Sequence, residues 1–460
     1  MSDLMTSLTN AARSLDAQQY GLDVTGQNIA NVNTAGYAVR TVGLTENVAP
    51  GTNSDGGVLI TGAPAQRDNF LEARLRSLQS PAAMDGAVAD ALNIVQTALG
   101  TPGSSLDSSL AAFFQSFATL SQDSTSSTSR AGVIASGQQL ASAFNAMSAQ
   151  ISAQQRATDD SIRSGVGQIN ALAAQIAQYN AAIGGANGAD VESVRDNLNV
   201  ALTSLSKLAN VGVMTRSDGG VDVTIGNGRA LVVGSNAYSL TAASTPPSGL
   251  AAITTGGVDI SSEISGGQIG GWLSVRDSLL PGYQSQLDQI AFGVAQQVNA
   301  LHKAGFDASG NPGGNFFAPL ASASGAAAAL AVDPALAADS SLVAASSTGA
   351  SGDNQTAKAI AALADARVAS GGTATFTQAW SQLVYQVGSD TQSAQASQTT
   401  HQAVLSAVQQ LRDSVSGVSM DDEATALMTY QRGYQANAKY FSTVNTILDV
   451  LMGMAGVTLS

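Results

Sequence analysis

The chain has 460 residues, of which 11% are charged and 5% aromatic, and its formal net charge is −14. This length exceeds what one compact core accommodates, so several domains are expected. The acidic balance excludes nucleic acid, whose phosphates need a basic face, and the lack of cysteine excludes disulfides and thiolate metal sites. No apolar run approaches the roughly 20 residues that span a bilayer, and the N-terminus lacks the pattern of a cleaved signal peptide. We therefore expect neither membrane insertion nor signal cleavage.

The N-terminal segment carries Leu8, Leu15, Leu22 and Ile29 at heptad spacing. This pattern is typical of a helix that packs against a partner helix. Taken alone, it fits either a terminal helix on its own domain's core or a pair with another helix.

A turn is predicted after this helix, near Asn33. Asn and Thr side chains bond the backbone in turns and Gly36 permits a positive φ. The run Ala30-Asn31-Val32-Asn33-Thr34-x-Gly36-Tyr37 resembles the N-terminal signature of the axial proteins of the bacterial flagellum, which form its rod, hook and hook-associated parts. The family usually has Pro where Ala35 stands.

Helical periodicity dominates the next part of the chain. Pro81 is expected to break the helix that begins at Asn69. Phe113, Phe114 and Phe117 are expected in a domain core rather than a ligand pocket. The predicted helices cover 69–78, 84–99, 105–120, 130–179 and 191–208.

The period then switches from helix to strand. Val221, Val223 and Ile225 alternate, Asn227-Gly228 offers a tight turn, and a second apolar run follows. We predict a small β domain at 211–265. The Gly226-x-Gly228 pattern is interpreted as this turn, because no helix follows it as a phosphate loop requires.

The block 266–317 resembles a segment of the hook-associated protein 1 family that rod and hook proteins do not share. It includes Gly266-Gly267-x-Ile269-Gly270-Gly271 and Arg276-Asp277. Asp307, Ser309 and Asn311 have calcium-loop spacing, but Ala318 stands where the closing Glu belongs, so a turn is favoured over a weak ion site. Residues 318–352 are predicted to be a loose Ala/Ser/Gly-rich excursion with one short strand, followed by helices at 354–367 and 376–415.

The last forty residues carry a second heptad seam. Met420, Leu427, Tyr434, Phe441 and Leu448 form one row, and Tyr430, Val444 and Leu451 form a second. Two matching seams at opposite ends of the chain favour pairing, within one subunit or between subunits. The run Gln431-Arg432-x-Tyr434-x-Ala436-Asn437 is similar to the C-terminal signature of the same flagellar proteins.

Groups that could carry chemistry are few. His302 and His401 lie far apart without carboxylates at ligand spacing, and each is expected at the surface or the core edge. The acidic run Asp421-Asp422-Glu423 suits the first turn of a helix, whose dipole favours negative charge. We therefore predict no catalytic site, no cofactor and no metal, so the chain is not expected to be an enzyme.

The predicted fold is mainly α with a small inserted β domain, in an elongated multidomain axial protein. The N- and C-terminal coiled-coil helices are expected to pair, and a helical-bundle domain is expected to be discontinuous in sequence. The predicted segments are 1–40 (N-terminal coiled coil), 41–210, 266–317 and 353–417 (helical domain), 211–265 (β domain), 318–352 (excursion) and 418–460 (C-terminal coiled coil).

The resemblance implies a structural subunit that joins the flagellar hook to the filament. It implies self-assembly in a ring or helix, contact with hook protein and hook-associated protein 3, and a cytosolic export chaperone on the C-terminal helix. It also implies export through the central channel to an extracellular position. The alternatives are a hook or rod protein, a flagellum-displayed adhesin or binding module with 211–265 as its head, and a secreted enzyme on flagellar termini.

The predicted assembly interface lies in both terminal segments. It consists of Leu8, Leu15, Leu22, Ile29, Asn31, Thr34, Gly36, Tyr37, Leu427, Tyr430, Tyr434, Phe441, Val444, Leu448 and Leu451.

Overall fold

The computed structural model describes residues 2–47, 57–100, 106–185 and 190–454. They form two compact units, each built from separate chain segments. Unit 1 comprises Met1–Ser80, Gln168–Ser239 and His401–Ser460, and unit 2 comprises Pro81–Gly167 and Leu240–Thr400. The predicted mainly α class with a small inserted β region is confirmed, whereas the division into seven segments stays a prediction.

Helices account for most of the described residues. They are α1 (Ser2–Ala30), α2 (Asn69–Leu99), α3 (Leu106–Gln122), α4 (Ser127–Gly185), α5 (Asp190–Leu208), α6 (Gly267–Ser274), a π-helical segment (Val275–Leu279), α7 (Leu280–Ala304), α8 (Ala326–Ala329), α9 (Pro334–Ala338), α10 (Gln355–Ala361), α11 (Phe376–Ser416) and α12 (Met420–Met454). Short 3₁₀ turns lie at Ser261–Glu263, Ser340–Leu342 and Ala362–Ala364. The predicted end of the first helix near Asn33 falls within the turn that follows Ala30.

The strands form three antiparallel sheets in the described residues. They are β1 (Gly43–Glu46), β2 (Val58–Gly62), β3 (Val211–Thr215), β4 (Val221–Ile225), β5 (Arg229–Val233), β6 (Asn236–Ala237), β7 (Thr241–Ser244), β8 (Ala251–Thr255) and β9 (Val258–Asp259). The sheets are ordered β1-β2, β3-β4-β5-β6 and β7-β8-β9. The strands of 211–265 thus lie in two sheets: the first belongs to unit 1 and the second to unit 2.

The predicted hairpin turn is present between β4 and β5. Val223 pairs with Val232 and Ile225 with Arg229, and Gly228 takes a φ of +94° in the turn. The alternating side chains of β4 point Val221, Val223 and Ile225 into the interior.

Pro81 does not break the helix, contrary to the prediction. It lies inside the continuous helix α2. A proline in a helix interior costs about 3 kcal/mol, but α2 buries Leu71 and Leu75 before it and Leu92 and Val95 after it. Burying such a side chain contributes about 1.5–3 kcal/mol, so the packing of both flanks outweighs the local cost.

The core of unit 2 is built around clustered aromatic rings. Phe113 lies 5.4 Å from Phe316 and 5.5 Å from Phe117 and Phe317, measured between ring centroids. All four rings are fully buried, as is Trp380 of α11. The predicted role of the phenylalanines as core residues is confirmed.

Residues 318–352 are not the loose excursion that their composition suggests. Leu330, Leu336 and Val343 are buried in the core of unit 2, and an isolated bridge between Phe317 and Val332 replaces the predicted strand. The carboxylate of Asp288 accepts hydrogen bonds from the backbone N–H groups of Gly325 and Ala327, both at 2.9 Å. Buried backbone needs such partners, and small side chains let this segment lie close to the core.

Candidate assembly site

The first and last helices of the chain pack against each other as an antiparallel pair. An added Cβ on Gly21 would lie 2.5 Å from the Tyr430 ring, and one on Gly433 would lie 2.5 Å from Oε1 of Gln18. At the end of the pair, the Asn28 side chain donates a hydrogen bond to Glu423. As residue numbers increase along α1, the numbers of the contacting residues in α12 decrease, so the two helices are antiparallel. Glycines on both helices permit the close approach.

The contact buries part of the predicted α12 seam, whereas the predicted α1 row lies at its flank. In α12, Val444 and Leu448 are buried at 7% and 8% exposure, and in α1 the buried apolar residues are Ala11, Ala17 and Val24. The predicted row Leu8, Leu15, Leu22 and Ile29 lies half-buried along the flank of this contact, as do Leu427, Tyr430 and Phe441. Tyr434 and Leu451 are exposed at 39% and 42%.

The segment after α1 forms a compact turn. The Thr34 N–H donates to the Asn31 carbonyl at 2.8 Å, and the Thr34 hydroxyl donates to Asn31 Oδ1 at 3.0 Å. Gly36 takes a φ of +80°, which favours glycine, and a Cβ there would clash with Val200. This geometry explains the Asn-x-x-Thr-x-Gly spacing of the signature and directs Tyr37 back towards α1.

Asn28 lies at the centre of a buried polar cluster. Its Nδ2 group donates to the Arg40 carbonyl at 2.9 Å and to Glu423 Oε1 at 3.1 Å. Its Oδ1 atom accepts from the Tyr37 hydroxyl at 2.8 Å and from the Arg40 N–H at 3.1 Å. At 1% exposure, this side chain has all four of its hydrogen-bonding positions filled and links the helix pair to the turn.

Ion pairs extend the cluster to three further helices. Asp196 of α5 pairs with Arg40 at 3.2 Å and with Arg67. Arg67 also donates to the Gly36 carbonyl at 3.1 Å. Glu72 of α2 pairs with Arg412 of α11 at 3.1 Å.

The pKa of the Glu423 carboxyl is raised above its ordinary value. Burial raises the pKa of its carboxyl, the hydrogen bond from Asn28 opposes this shift, and the neighbouring Asp422 adds to it. In the sequence, the acidic run at 421–423 indicated only a favourable helix start. Its spacing carries no signal that Glu423, unlike the exposed Asp421 and Asp422, faces α1.

Comparison with known proteins gives three matching family models. A model described as "Flagella basal body rod protein" matches residues 8–37, and one described as "Flagellar basal body rod FlgEFG protein C-terminal" matches residues 402–454. A model described as "Flagellar hook-associated protein FlgK helical domain" matches residues 92–317. The two end models thus cover most of the helix pair and the turn.

Relatives match over the whole length. The chain is 27% identical to flagellar hook-associated protein 1 of Escherichia coli (strain K12), with 98% of the chain and 100% of the relative covered. It is 26% identical to flagellar hook-associated protein 1 of Bacillus subtilis (strain 168), with 99% of each covered. Over its whole length the chain is therefore similar to flagellar hook-associated protein 1.

The fold also matches a solved structure. The structure of the flagellar hook junction protein FlgK from Burkholderia pseudomallei superposes with a TM-score of 0.68 at 18% identity. The match covers 74% of this chain and 100% of that one.

The block 266–317 contributes a buried ion pair to unit 2. Arg276 Nη1 donates to Asp159 Oδ1 at 2.6 Å and to the Ala251 carbonyl at 2.7 Å. Asp159 Oδ1 also accepts from the Ala251 N–H at 2.8 Å. Burial would raise the pKa of Asp159, but the hydrogen bonds from Ala251, Arg276 and Arg163 lower it below its ordinary value. Arg276 therefore joins α4 and β8 to the segment before α7.

In the described residues, His302 and Asp307, which were considered as possible functional groups, make hydrogen bonds that stabilise the fold. His302 is fully buried rather than at the surface or core edge as predicted. Its Nδ1 bonds the Gly314 carbonyl and its Nε2 accepts from the Ala344 N–H, both at 2.9 Å, which explains how an imidazole is tolerated there. The turn at Asp307 is held by N–H donors from Ser309 and Asn311. No cluster of three metal-ligating side chains occurs in the described ranges.

Among the residues that the structure describes, no helix is both long and apolar enough to cross a membrane.

Proposed function

We propose that the chain is a structural subunit of the bacterial flagellum that joins the hook to the filament. The observation that carries this proposal is the full-length similarity to flagellar hook-associated protein 1. The hook-associated helical-domain match at 92–317 favours this role over that of a hook or rod protein, whose models match only the ends of the chain. The proposed role is one of assembly and not of catalysis.

We propose that the subunit assembles through its terminal helices and the turn between α1 and β1. The predicted interface residues Thr34, Tyr434 and Leu451 are exposed, and buried Tyr37, Val444 and Leu448 hold the supporting pair. Exposed apolar side chains are concentrated on α12, where Tyr440, Ile447 and Met454 are 51%, 46% and 81% exposed. Exposed apolar surface of this kind marks interaction sites.

The proposed partners are further copies of the chain, the hook protein and hook-associated protein 3. A cytosolic export chaperone is proposed to cover the apolar flank of α12 before assembly, because this flank would otherwise associate without control. The proposed location is extracellular, at the hook–filament junction, after export through the central channel.

The test is deletion of the gene in its own bacterium. We expect the deletion strain to build hooks, to release filament subunits into the medium and to lose motility, and we expect the wild-type gene to restore filaments. Filaments that remain attached in the deletion strain would refute the junction role.

A double variant tests the helix pair within this role. Leu427→Asp with Leu448→Asp should disrupt packing between α1 and α12 and abolish incorporation at the hook end. A control with Gln431→Asp and Asn445→Asp places the same charges on exposed positions of α12 and should restore filaments. Circular dichroism of both purified variants shows whether the rest of the chain remains folded.

A further inference from the structure

The faces of α1 and α12 that point away from their mutual contact carry opposite charges. Asp16 and Asp23 are exposed on α1, and Arg432 and Lys439 are exposed on α12. Each pair has the same spacing of seven residues, which places its members on one face about 10 Å apart. We call these two surfaces the acidic outer face and the basic outer face.

Within the described residues, neither outer face makes a polar contact inside the subunit. Asp23 follows the contact residue Gly21 by two positions, and Arg432 follows Tyr430 by two positions. At 100° per residue each charge lies about 200° around its helix from the contact. In the described part of the chain, none of the four charged side chains makes an ion pair or a hydrogen bond.

We propose that a second copy of this chain binds here, with the acidic outer face of one copy on the basic outer face of the next. This inference rests on the proposed function and specifies the interface between copies. Only one antiparallel register sets both acids opposite both bases, Asp16 against Lys439 and Asp23 against Arg432. A shift by one heptad loses both of these pairs and leaves a single acid–base pair, either Asp16 with Arg432 or Asp23 with Lys439.

Further residues agree with this register. It places Met5 opposite Val450, and each of these apolar side chains is 57% exposed. It places Arg13 opposite Ser442 and Asp449 opposite Thr6, so no like charges meet. One register therefore matches acid to base and apolar to apolar over almost the whole length of α1.

The register predicts how copies are arranged. Within the subunit, the contact of Gly21 with Tyr430 aligns position 23 with position 428. Between copies, Asp23 aligns with Arg432, four residues further along α12. Four residues correspond to about 6 Å along the helix, so each copy is displaced axially from its neighbour. An interface that joins unlike faces with such a displacement builds a helical path rather than a flat ring.

Charge reversal in cells tests the interface. Asp16→Lys with Asp23→Lys, or Arg432→Glu with Lys439→Glu, should each reduce the number of attached filaments about tenfold or more, because like charges then meet in every interface. Co-expression of the two variants, or all four substitutions in one chain, should restore filaments because the faces match again. A control, Asp421→Lys, changes an exposed charge of α12 outside this register and should behave as wild type.

Reversed variants that assemble alone, or matched faces that fail to restore filaments, would overturn the interface while leaving the junction role intact. The junction role itself fails if filaments remain attached in the deletion strain or if the wild-type gene does not restore them. Normal circular dichroism of each purified variant separates lost assembly from lost folding.

Disulfide formation tests the register directly, since the chain has no cysteine. Asp23→Cys with Arg432→Cys should give a ladder of linked chains when assembled hook ends are oxidised. The mismatched variant, Asp16→Cys with Arg432→Cys, places the thiols about 10 Å apart along the helices and should remain unlinked. A ladder from the mismatched variant, or none from the matched variant, would contradict the proposed register.

Discussion

Asn28 of α1 donates a hydrogen bond to Glu423 of α12 at 3.1 Å, although the two residues lie 395 positions apart in the chain. The same amide group also bonds the backbone of Arg40 and the Tyr37 hydroxyl. One side chain thus connects the N-terminal helix, the turn that follows it and the start of the C-terminal helix. Asn28, which precedes the signature, and Tyr37, which closes it, therefore link the first segment of the chain to the last.

Replacement of Asn28 should release the start of α12. Asn28→Ala leaves buried partners unsatisfied, each at a cost of about 1–3 kcal/mol, so we expect the opening free energy of α12 to fall by about 3 kcal/mol. Hydrogen exchange should then show protection at the first turns of α12 reduced about 100-fold. Asn33→Ala changes an exposed position of the turn that follows α1. It serves as the control and should leave hydrogen exchange nearly unchanged. Equal effects of both substitutions would contradict the central role of Asn28.

Replacement of Gly21 and of Gly26 by alanine should change the stability of the helix pair in opposite directions. Gly→Ala in an exposed helix interior stabilises by up to about 1 kcal/mol, and Gly26 has no atom near an added Cβ. At Gly21 the Tyr430 ring occupies that space, so Gly21→Ala should destabilise the helix pair by about 1–3 kcal/mol. Thermal unfolding and exchange in α12 measure both variants. Stabilisation by Gly21→Ala would show that the two helices do not approach closely.

Stability of the helix pair should decrease as pH rises through the titration of Glu423. Its folded-state pKa is raised by burial, so the folded chain binds the proton more tightly than the unfolded chain. The contribution of protonated Glu423 to the stability of the helix pair is fully present below the pKa of the unfolded chain. It is lost as pH rises through the higher pKa of the folded chain. Glu423→Gln keeps the acceptor for Asn28 and should remove this pH dependence, as followed by exchange in α12. Asp421→Asn, an exposed neighbour, should retain it.

The buried pair in unit 2 should behave in the opposite way with pH. The pKa of Asp159 is lowered, so its contribution is present above the unfolded pKa and is lost as pH falls through the folded pKa. Asp159→Asn removes the buried charge partner of Arg276, which keeps its ion pair with Asp277 at 2.7 Å, and should destabilise unit 2 by about 1–3 kcal/mol at neutral pH. Asp160→Asn changes an exposed carboxylate and is the control. Chemical unfolding at several pH values measures the free energy of unfolding of both variants. An equal decrease in both variants would show that the buried pair is unimportant.

The sequence was informative wherever periodicity and turn chemistry act locally. The long helices follow apolar spacing, and the turn after α1 follows from Asn31, Thr34 and Gly36. Local rules failed at Pro81 and at His302, where tertiary packing overrides the local preference. Pro81 is retained in a helix by buried side chains on both flanks, and His302 is buried because two backbone groups satisfy its ring.

The polar cluster of the site could not be predicted from the sequence. Asn28, Arg67, Asp196 and Glu423 come from four separate helices or loops, and no spacing along the chain links them. The apolar seams were visible as heptads, but heptads do not state whether the partner helix belongs to the same subunit. In the described residues, α1 packs against α12 of the same subunit, and Asp16, Asp23, Arg432 and Lys439 are exposed.

The most direct test of the central claim is electron cryomicroscopy of hook–filament junctions from the wild-type and deletion strains. We expect wild-type junctions to contain a layer of subunits between hook and filament into which both units and the antiparallel α1–α12 pair fit. The same layer should be absent from the hook ends of the deletion strain. A layer of unchanged density in the deletion strain, or a wild-type layer that cannot hold the antiparallel pair, would contradict the account.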